Sequence, residues 1–325
     1  MMKEIDLKHG ERYPEVLSVN LELRKVISKK YGFKIENIIP NNGSNGSLLT
    51  IFSTIKVNNN KPKVILDVPN YFRSIYHLLH FKYKVIAVKQ NKNFEFPVKD
   101  YIKKMLKYKP DLVMLTTPNN PTGKAISDRN LISVLDSLPK ESIAVVDRTL
   151  TNIRKEISTK TLLSKYKNKN LVILHSFSKN YGLSHERIGF AVTSNRNLSD
   201  FLRQFVVLGL NVNAMKSAIR TMKKFHLIKE KIKKIKESDK LLERFSKNFN
   251  FVYYKSDSDY ALLKLPRNIK SSKLCKEMKK GNISLMGGHE FHNVQNINES
   301  YIRLYIGEPA RLMKFIKTFK NITKK

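Results

Sequence analysis

The chain has 325 residues, 41% of them hydrophobic and 27% charged, enough for one large or two smaller domains and too apolar for disorder. A single cysteine, Cys275, excludes an internal disulfide and a cysteine-rich zinc site, and suits a reducing cytoplasm. The net charge of +35 comes from 48 Lys and 14 Arg spread along the whole chain, whereas nucleic-acid surfaces cluster arginine on one face, so the charge reads as solvated surface whose field favours anionic substrates.

Residues 1–14 alternate charges with single apolar residues and lack the apolar core of a secretion signal. The longest apolar run, 205–210, is far short of a membrane span. Neither a membrane nor a nucleic-acid partner is expected.

Between 60 and 180 one pattern recurs. A short apolar or β-branched run ends in a small or polar cluster, and a helix-like segment follows. Residues 63–68 lead into Pro69-Asn70-Tyr71, and 111–117 into Pro118-Asn119-Asn120-Pro121-Thr122-Gly123. Residues 143–146 lead into Asp147, and 171–174 into His175-Ser176-Phe177-Ser178-Lys179. Strands alternating with helices predict an α/β fold, a mainly parallel sheet flanked by helices. Ligands bind such sheets beyond the carboxyl ends of the strands, where these clusters fall. The pattern therefore nominates Tyr71, Asn120, Asp147 and Lys179 as neighbours around one crevice.

After residue 200 the texture changes. Residues 198–222 read as helix interrupted around 209–213, and 223–249 as a strongly basic amphipathic helix. Short strands at 251–254, 260–265 and 301–306 alternate with helices at 271–280 and 309–319, which predicts a smaller α+β domain. The expected division is a large domain at 14–212 and a small one formed by the chain ends, 1–13 and 213–325.

Singly, each cluster has a plain explanation. Asn-Pro and Thr-Gly pairs make turns, and a serine at a strand end commonly caps the next helix. His175, His226, His289 and His292 lack the spacing of a metal site, so no metal is expected; His289 and His292 suit a loop.

Together, in this order, the clusters resemble the fold-type I aminotransferases, and within them the histidinol-phosphate aminotransferase subgroup. The resemblance rests on Pro118-Asn119-Asn120-Pro121-Thr122-Gly123, Val145-Val146-Asp147, Ser176-Phe177-Ser178-Lys179 and Arg187-Ile188-Gly189. Arg12-Tyr13-Pro14-Glu15, Asn42-Gly43-Ser44-Asn45 and Tyr301-Ile302-Arg303 extend it over nearly the whole chain.

The resemblance implies pyridoxal 5'-phosphate as cofactor, with Lys179 carrying it as a Schiff base and moving the proton at the substrate's α-carbon. It implies that Asp147 pairs with the pyridine nitrogen, Asn120 bonds the phenolic oxygen and Tyr71 stacks on the ring. The phosphate is expected at the start of a helix near Asn45, with donors from Ser44, Ser176, Ser178 and Arg187. Tyr13 matches a tyrosine that reaches the phosphate of the neighbouring subunit, implying a homodimer. Arg303 matches the arginine that grips the substrate's α-carboxylate.

The expected activity is transfer of an amino group between an amino acid and a keto acid or phosphorylated carbonyl compound. Two alternatives stand beside it: decarboxylation of an O-phospho amino acid, as in threonine-phosphate decarboxylase, and cofactor binding without turnover. One departure bears on the choice. Where the family has Asp-Glu-Ala-Tyr, with the tyrosine also bonding the phenolic oxygen, this chain has Asp147-Arg148-Thr149-Leu150.

Overall fold

The computed structural model describes residues 14–206, 209–224, 226–291 and 297–323. Its larger sheet has seven strands in the order β1-β7-β6-β5-β4-β2-β3. They are β1 (Ile38–Asn41), β2 (Lys63–Val68), β3 (Lys84–Lys89), β4 (Leu112–Thr116), β5 (Ile143–Asp147), β6 (Leu171–Ser176) and β7 (Gly189–Thr193). Strands β2 to β6 pair in parallel, while β7 runs antiparallel to both its neighbours.

Successive side chains of a strand point to opposite faces, and here each face has its own core. Ile65, Val113, Leu115, Val146, Leu171 and Ile173 belong to one cluster. Their chain neighbours Val64, Leu66, Leu112, Met114, Val172 and Leu174 belong to the other. A sheet covered on both sides needs apolar residues at every position, which is why β6 reads Leu-Val-Ile-Leu without polar interruption.

The second cluster is covered by α2 (Gly43–Asn58), α3 (Phe72–His80) and α8 (Arg196–Gln204). The first is covered by α1 (Pro14–Tyr31), α4 (Val98–Tyr108), α5 (Asp128–Asp136), α6 (Thr159–Lys165) and α9 (Val212–Met222). Between β6 and β7 lies the single turn α7 (Phe177–Asn180). The interruption expected near 209–213 meets the gap between α8 and α9 only in part, because α9 already begins at Val212.

A second sheet, fully antiparallel, has the order β10-β11-β9-β8. Its strands are β8 (Val252–Tyr254), β9 (Tyr260–Lys264), β10 (Met286–Gly287) and β11 (Tyr301–Tyr305). With α10 (His226–Asn248), α11 (Ser271–Lys280) and α12 (Pro309–Thr323) it closes over a third cluster centred on Phe245, Phe315 and Phe319. The Phe245 ring meets the other two edge to face, 5.5 Å from Phe315 and 5.4 Å from Phe319, a geometry favoured by aromatic quadrupoles. Among the described residues no helix is long and apolar enough to cross a membrane.

Candidate active site

The carboxyl ends of β2, β4, β5 and β6 open onto a cavity of about 550 Å³, whose far wall comes from the small sheet. Tyr71, Asn120, Asp147 and Lys179, the four residues nominated by the strand-end pattern, all line it.

A buried polar network sets the first two. Asp67, near the end of β2, accepts bonds from Asn70 (3.0 Å) and Gln90 (2.5 Å), and a longer one from Asn119 (3.4 Å). Asn70 in turn accepts from the Tyr71 backbone N–H and the Thr116 hydroxyl, fixing where the chain turns into α3. Burial pushes the Asp67 carboxyl up to about 6. Asn119 closes the turn after β4 by accepting from the Thr122 N–H and hydroxyl, and leaves Asn120 to face the cavity. Gly123 sits at φ 72°, and a Cβ there would lie 2.3 Å from the Tyr260 carbonyl oxygen, so only glycine fits.

Asp147, at the end of β5, is buried, and one of its oxygens accepts from the Thr149 N–H at 2.9 Å. Burial raises its pKa, which is the environment of a carboxylate waiting for a cationic partner. After β6, Ser176 caps α7 by accepting from the Ser178 N–H at 3.1 Å, and that turn carries Lys179 into the cavity. The Lys179 amine donates to the Tyr260 hydroxyl at 2.8 Å.

The remaining expected residues gather at one end. Ser44 and Asn45 stand in the first turn of α2, where free N–H groups and the helix dipole attract anions. Arg187 reaches over them, its Nη1 donating to the Ser184 carbonyl at 2.9 Å and the Ser178 hydroxyl at 3.3 Å. A Cβ on Gly43 would come within 2.9 Å of the Arg187 guanidinium, so the glycine makes room for that approach. Asn45 has a buried side-chain oxygen with no partner.

Arg303, on β11, closes the opposite end. It donates to Asn120 at 2.7 Å and lies 4.6 Å above the Tyr260 ring, a cation–π distance. Burial lowers its pKa, and its Nε is buried without a partner, an arrangement completed by a planar anion. Of the expected site residues, ten line this one cavity: Ser44, Asn45, Tyr71, Asn120, Asp147, Ser176, Ser178, Lys179, Arg187 and Arg303. Tyr13, with Arg12, lies outside the described residues.

The donor set fits pyridoxal phosphate: an anion cradle at α2, a buried carboxylate, an amide and an amine converge on one space. The departures near Asp147 also find places. Leu150 lines the cavity, 6% exposed, where a tyrosine hydroxyl is missing. Arg148 points away, buried beneath the site, donating to Thr159 at 3.1 Å and facing Glu156 at 3.7 Å. His175 shares Thr159 at 3.1 Å and stacks on Phe190, and burial lowers its pKa to about 3. Among the described residues no group of three or more His, Cys, Asp or Glu could hold a metal; His292 lies outside them.

Tyr260, Tyr305 and Glu290 also line the cavity and were not anticipated. Residues 260–265 read as a strand, but no motif marks which face meets the large domain. Period-two alternation from Arg303 to Tyr305, with Tyr305 paired opposite Tyr260, is the signal that could have found both tyrosines.

The family model for aminotransferase class I and II matches residues 6–319. The chain belongs to this family. The histidinol-phosphate aminotransferase of Pelagibacter ubique is 29% identical over 316 residues, covering 96% of this chain and 84% of that one. Two solved structures share the fold. One is the histidinol-phosphate aminotransferase of Sinorhizobium meliloti in complex with pyridoxal-5'-phosphate, with a TM-score of 0.79 at 17% identity, covering 95% of this chain and 88% of that one. The other is the L-threonine-O-3-phosphate decarboxylase of Porphyromonas gingivalis, at 0.74 and 19%, covering 99% and 97%.

Proposed function

We propose that the protein is a pyridoxal 5'-phosphate-dependent aminotransferase that moves an amino group between an amino acid and a keto acid or phosphorylated carbonyl compound. The observation that carries this reading is the convergence of the Lys179 amine, the buried Asp147 carboxylate, Asn120 and Arg303 on one cavity. Family membership and the histidinol-phosphate aminotransferase relatives support it.

Bound there, the cofactor supplies an aldehyde for amines and a ring that delocalises charge left at the substrate's α-carbon. Lys179 would hold the cofactor covalently and, as a free amine, would take and return the substrate's α-proton. Asp147 holds a proton on the pyridine nitrogen, and its burial strengthens that pairing. Asn120 orients the phenolic oxygen and Tyr71 packs on the ring. Ser44, Asn45, Ser176, Ser178 and Arg187 hold the phosphate. Arg303 fixes the substrate carboxylate and thereby sets which α-carbon bond faces Lys179.

The assembly we propose is a homodimer in the cytoplasm, with Tyr13 reaching the neighbouring phosphate. The proposed small unit is built from the chain ends, 1–13 and 213–325, beside a large unit at 14–212. Helix α9, at the start of the proposed small unit, packs against α1 in the core of the large one. Sedimentation across a concentration series tests the dimer, and a folded, active monomer contradicts it.

The function is tested by mixing the protein with a panel of amino acids. Conversion of the cofactor to its amine form without release of carbon dioxide is expected. Stoichiometric carbon dioxide overturns it in favour of decarboxylation, and no spectral change with any amino acid in favour of binding without turnover.

A further inference from the structure

Two residues of the small unit meet Lys179 at both of its ends. Lys231, on α10, donates to the backbone carbonyl of Lys179 and to the buried carboxylate of Asp259, the latter at 2.9 Å. The next residue, Tyr260, accepts from the Lys179 amine at 2.8 Å. Among the described residues no other hydrogen bond reaches that amine. A lysine side chain has four rotatable torsions and no preferred direction of its own, so its aim must come from a partner.

The Tyr260 ring is itself held firmly. It lies under the Arg303 guanidinium at 4.6 Å and meets the Tyr305 ring edge-on at 5.4 Å. Asp259, beside it, is fixed by the Lys231 pair, with a side-chain exposure of 0%. The hydroxyl therefore stands on a rigid mount, and the flexible lysine is the member that adjusts. On the Asp147 side the cavity wall carries Leu150 and the Thr149 hydroxyl, and no hydrogen bond joins that hydroxyl to the Lys179 amine.

We propose that Tyr260 is the positioning residue of Lys179: its hydroxyl, brought from the small sheet, aims the free amine at the reacting carbon. This rests on Lys179 being the attachment point of the cofactor, and it assigns a role to a residue of the other unit. The hydroxyl is needed whenever the amine is not bonded, which is when Lys179 first captures the cofactor and when it shuttles the substrate's proton. In the capture step the amine nitrogen bonds to the aldehyde carbon, gives up its two remaining hydrogens after release of any ammonium proton, and the aldehyde oxygen departs with them as water. A second consequence is that the aim of Lys179 depends on the docking of the small sheet.

The experiment uses the full chain stripped of cofactor and mixed with pyridoxal phosphate. Non-covalent uptake is read from tyrosine fluorescence quenching, and bonding to Lys179 from visible absorbance. Tyr260→Phe keeps the ring that packs under Arg303 and removes only the hydroxyl. Its uptake should match the parent, bonding should slow by about tenfold to a hundredfold, and kcat should fall with KM nearly unchanged. Tyr260→Gln, which restores an acceptor oxygen, should bond faster than the Phe variant. Bonding and kcat in Tyr260→Phe within twofold of the parent overturn the proposal. So does a Phe variant that fails to fold or to take up cofactor, since the hydroxyl would then be structural. Borohydride reduction and peptide mapping of the parent separate this outcome from the underlying reading. Label on another lysine removes Lys179 itself from the chemistry, whereas label on Lys179 with unchanged Tyr260→Phe kinetics removes only the role of Tyr260.

Discussion

The Arg303 guanidinium and the Asn120 amide oxygen are bonded to each other at 2.7 Å, across the space between the two sheets. Each group has another task in the proposed mechanism, Arg303 toward a carboxylate and Asn120 toward a phenolic oxygen. The pair keeps a buried cation satisfied until an anion arrives, since an unpaired buried charge is costly. In the proposed mechanism, substrate binding would exchange one partner for a better one and release Asn120 as it did so.

Arg303→Lys keeps the charge and loses the planar fork. The KM for the amino acid should rise by about tenfold to a hundredfold, because a bidentate pair becomes a single contact. Cofactor uptake should be unaffected. A KM within twofold of the parent would mean that the substrate carboxylate binds elsewhere.

Lys179→Ala should remove the visible absorbance of lysine-bound cofactor and turnover together. The cavity remains, so non-covalent uptake should persist through the cradle of Ser178 and Arg187. An unchanged spectrum in this variant would sink the assignment of Lys179.

Leu150 lines the cavity, so Leu150→Tyr returns a hydroxyl to the Asp147 side. A donor to the phenolic oxygen favours its charged form, so the pH at which the bound cofactor's visible spectrum changes should fall. The same midpoint in both proteins would show that residue 150 does not reach that oxygen.

Asp67 supplies a pH dependence of known sign. Its carboxyl is raised from 3.8 to about 6 in the folded chain, so between those values the folded state binds a proton that the unfolded state lacks. Its contribution to stability is therefore greatest below pH 3.8 and declines until the pH passes about 6. Asp67→Asn abolishes that decline. Urea melts should show the variant gaining about 2 kcal/mol on the parent between ~pH 4.5 and ~pH 7.5. A stability difference that stays constant over that range would contradict the titration.

The strand-end logic was legible because fully buried parallel strands write long apolar runs, and β2 was expected at the residues where it lies, Lys63–Val68. Strands β1, β3 and β7 were not expected. β3 is a sheet edge with lysine at both ends, β1 has four residues including Pro40, and β7 starts at a glycine. β1 and β3 are too short or too polar to stand out from loop. Asn120, Asp147 and Lys179 were legible because each follows such a run in a motif. Tyr260 was not, because its place depends on how β9 pairs with β11 and on how that sheet docks, and both are tertiary facts. The burial of Arg148 is likewise set by packing against Thr159 and Glu156 rather than by anything local.

The reversed strand β7 has a consequence for how the molecule comes into being. Its first residue, Gly189, pairs with Asn41 on one side and Ser176 on the other, and a Cβ there would strike Gly43 at 2.9 Å. The proposed phosphate cradle thus has no existence in any contiguous stretch of chain. It appears when the 189–193 segment slots between two strands, one of which was synthesised long before it. Such a closure joins distant segments, which makes it entropically slow. A chain growing on the ribosome will have completed Asp147 and Lys179 before Gly189 and the proposed phosphate end of the cavity. Tyr260 and Arg303, on β9 and β11, come later still.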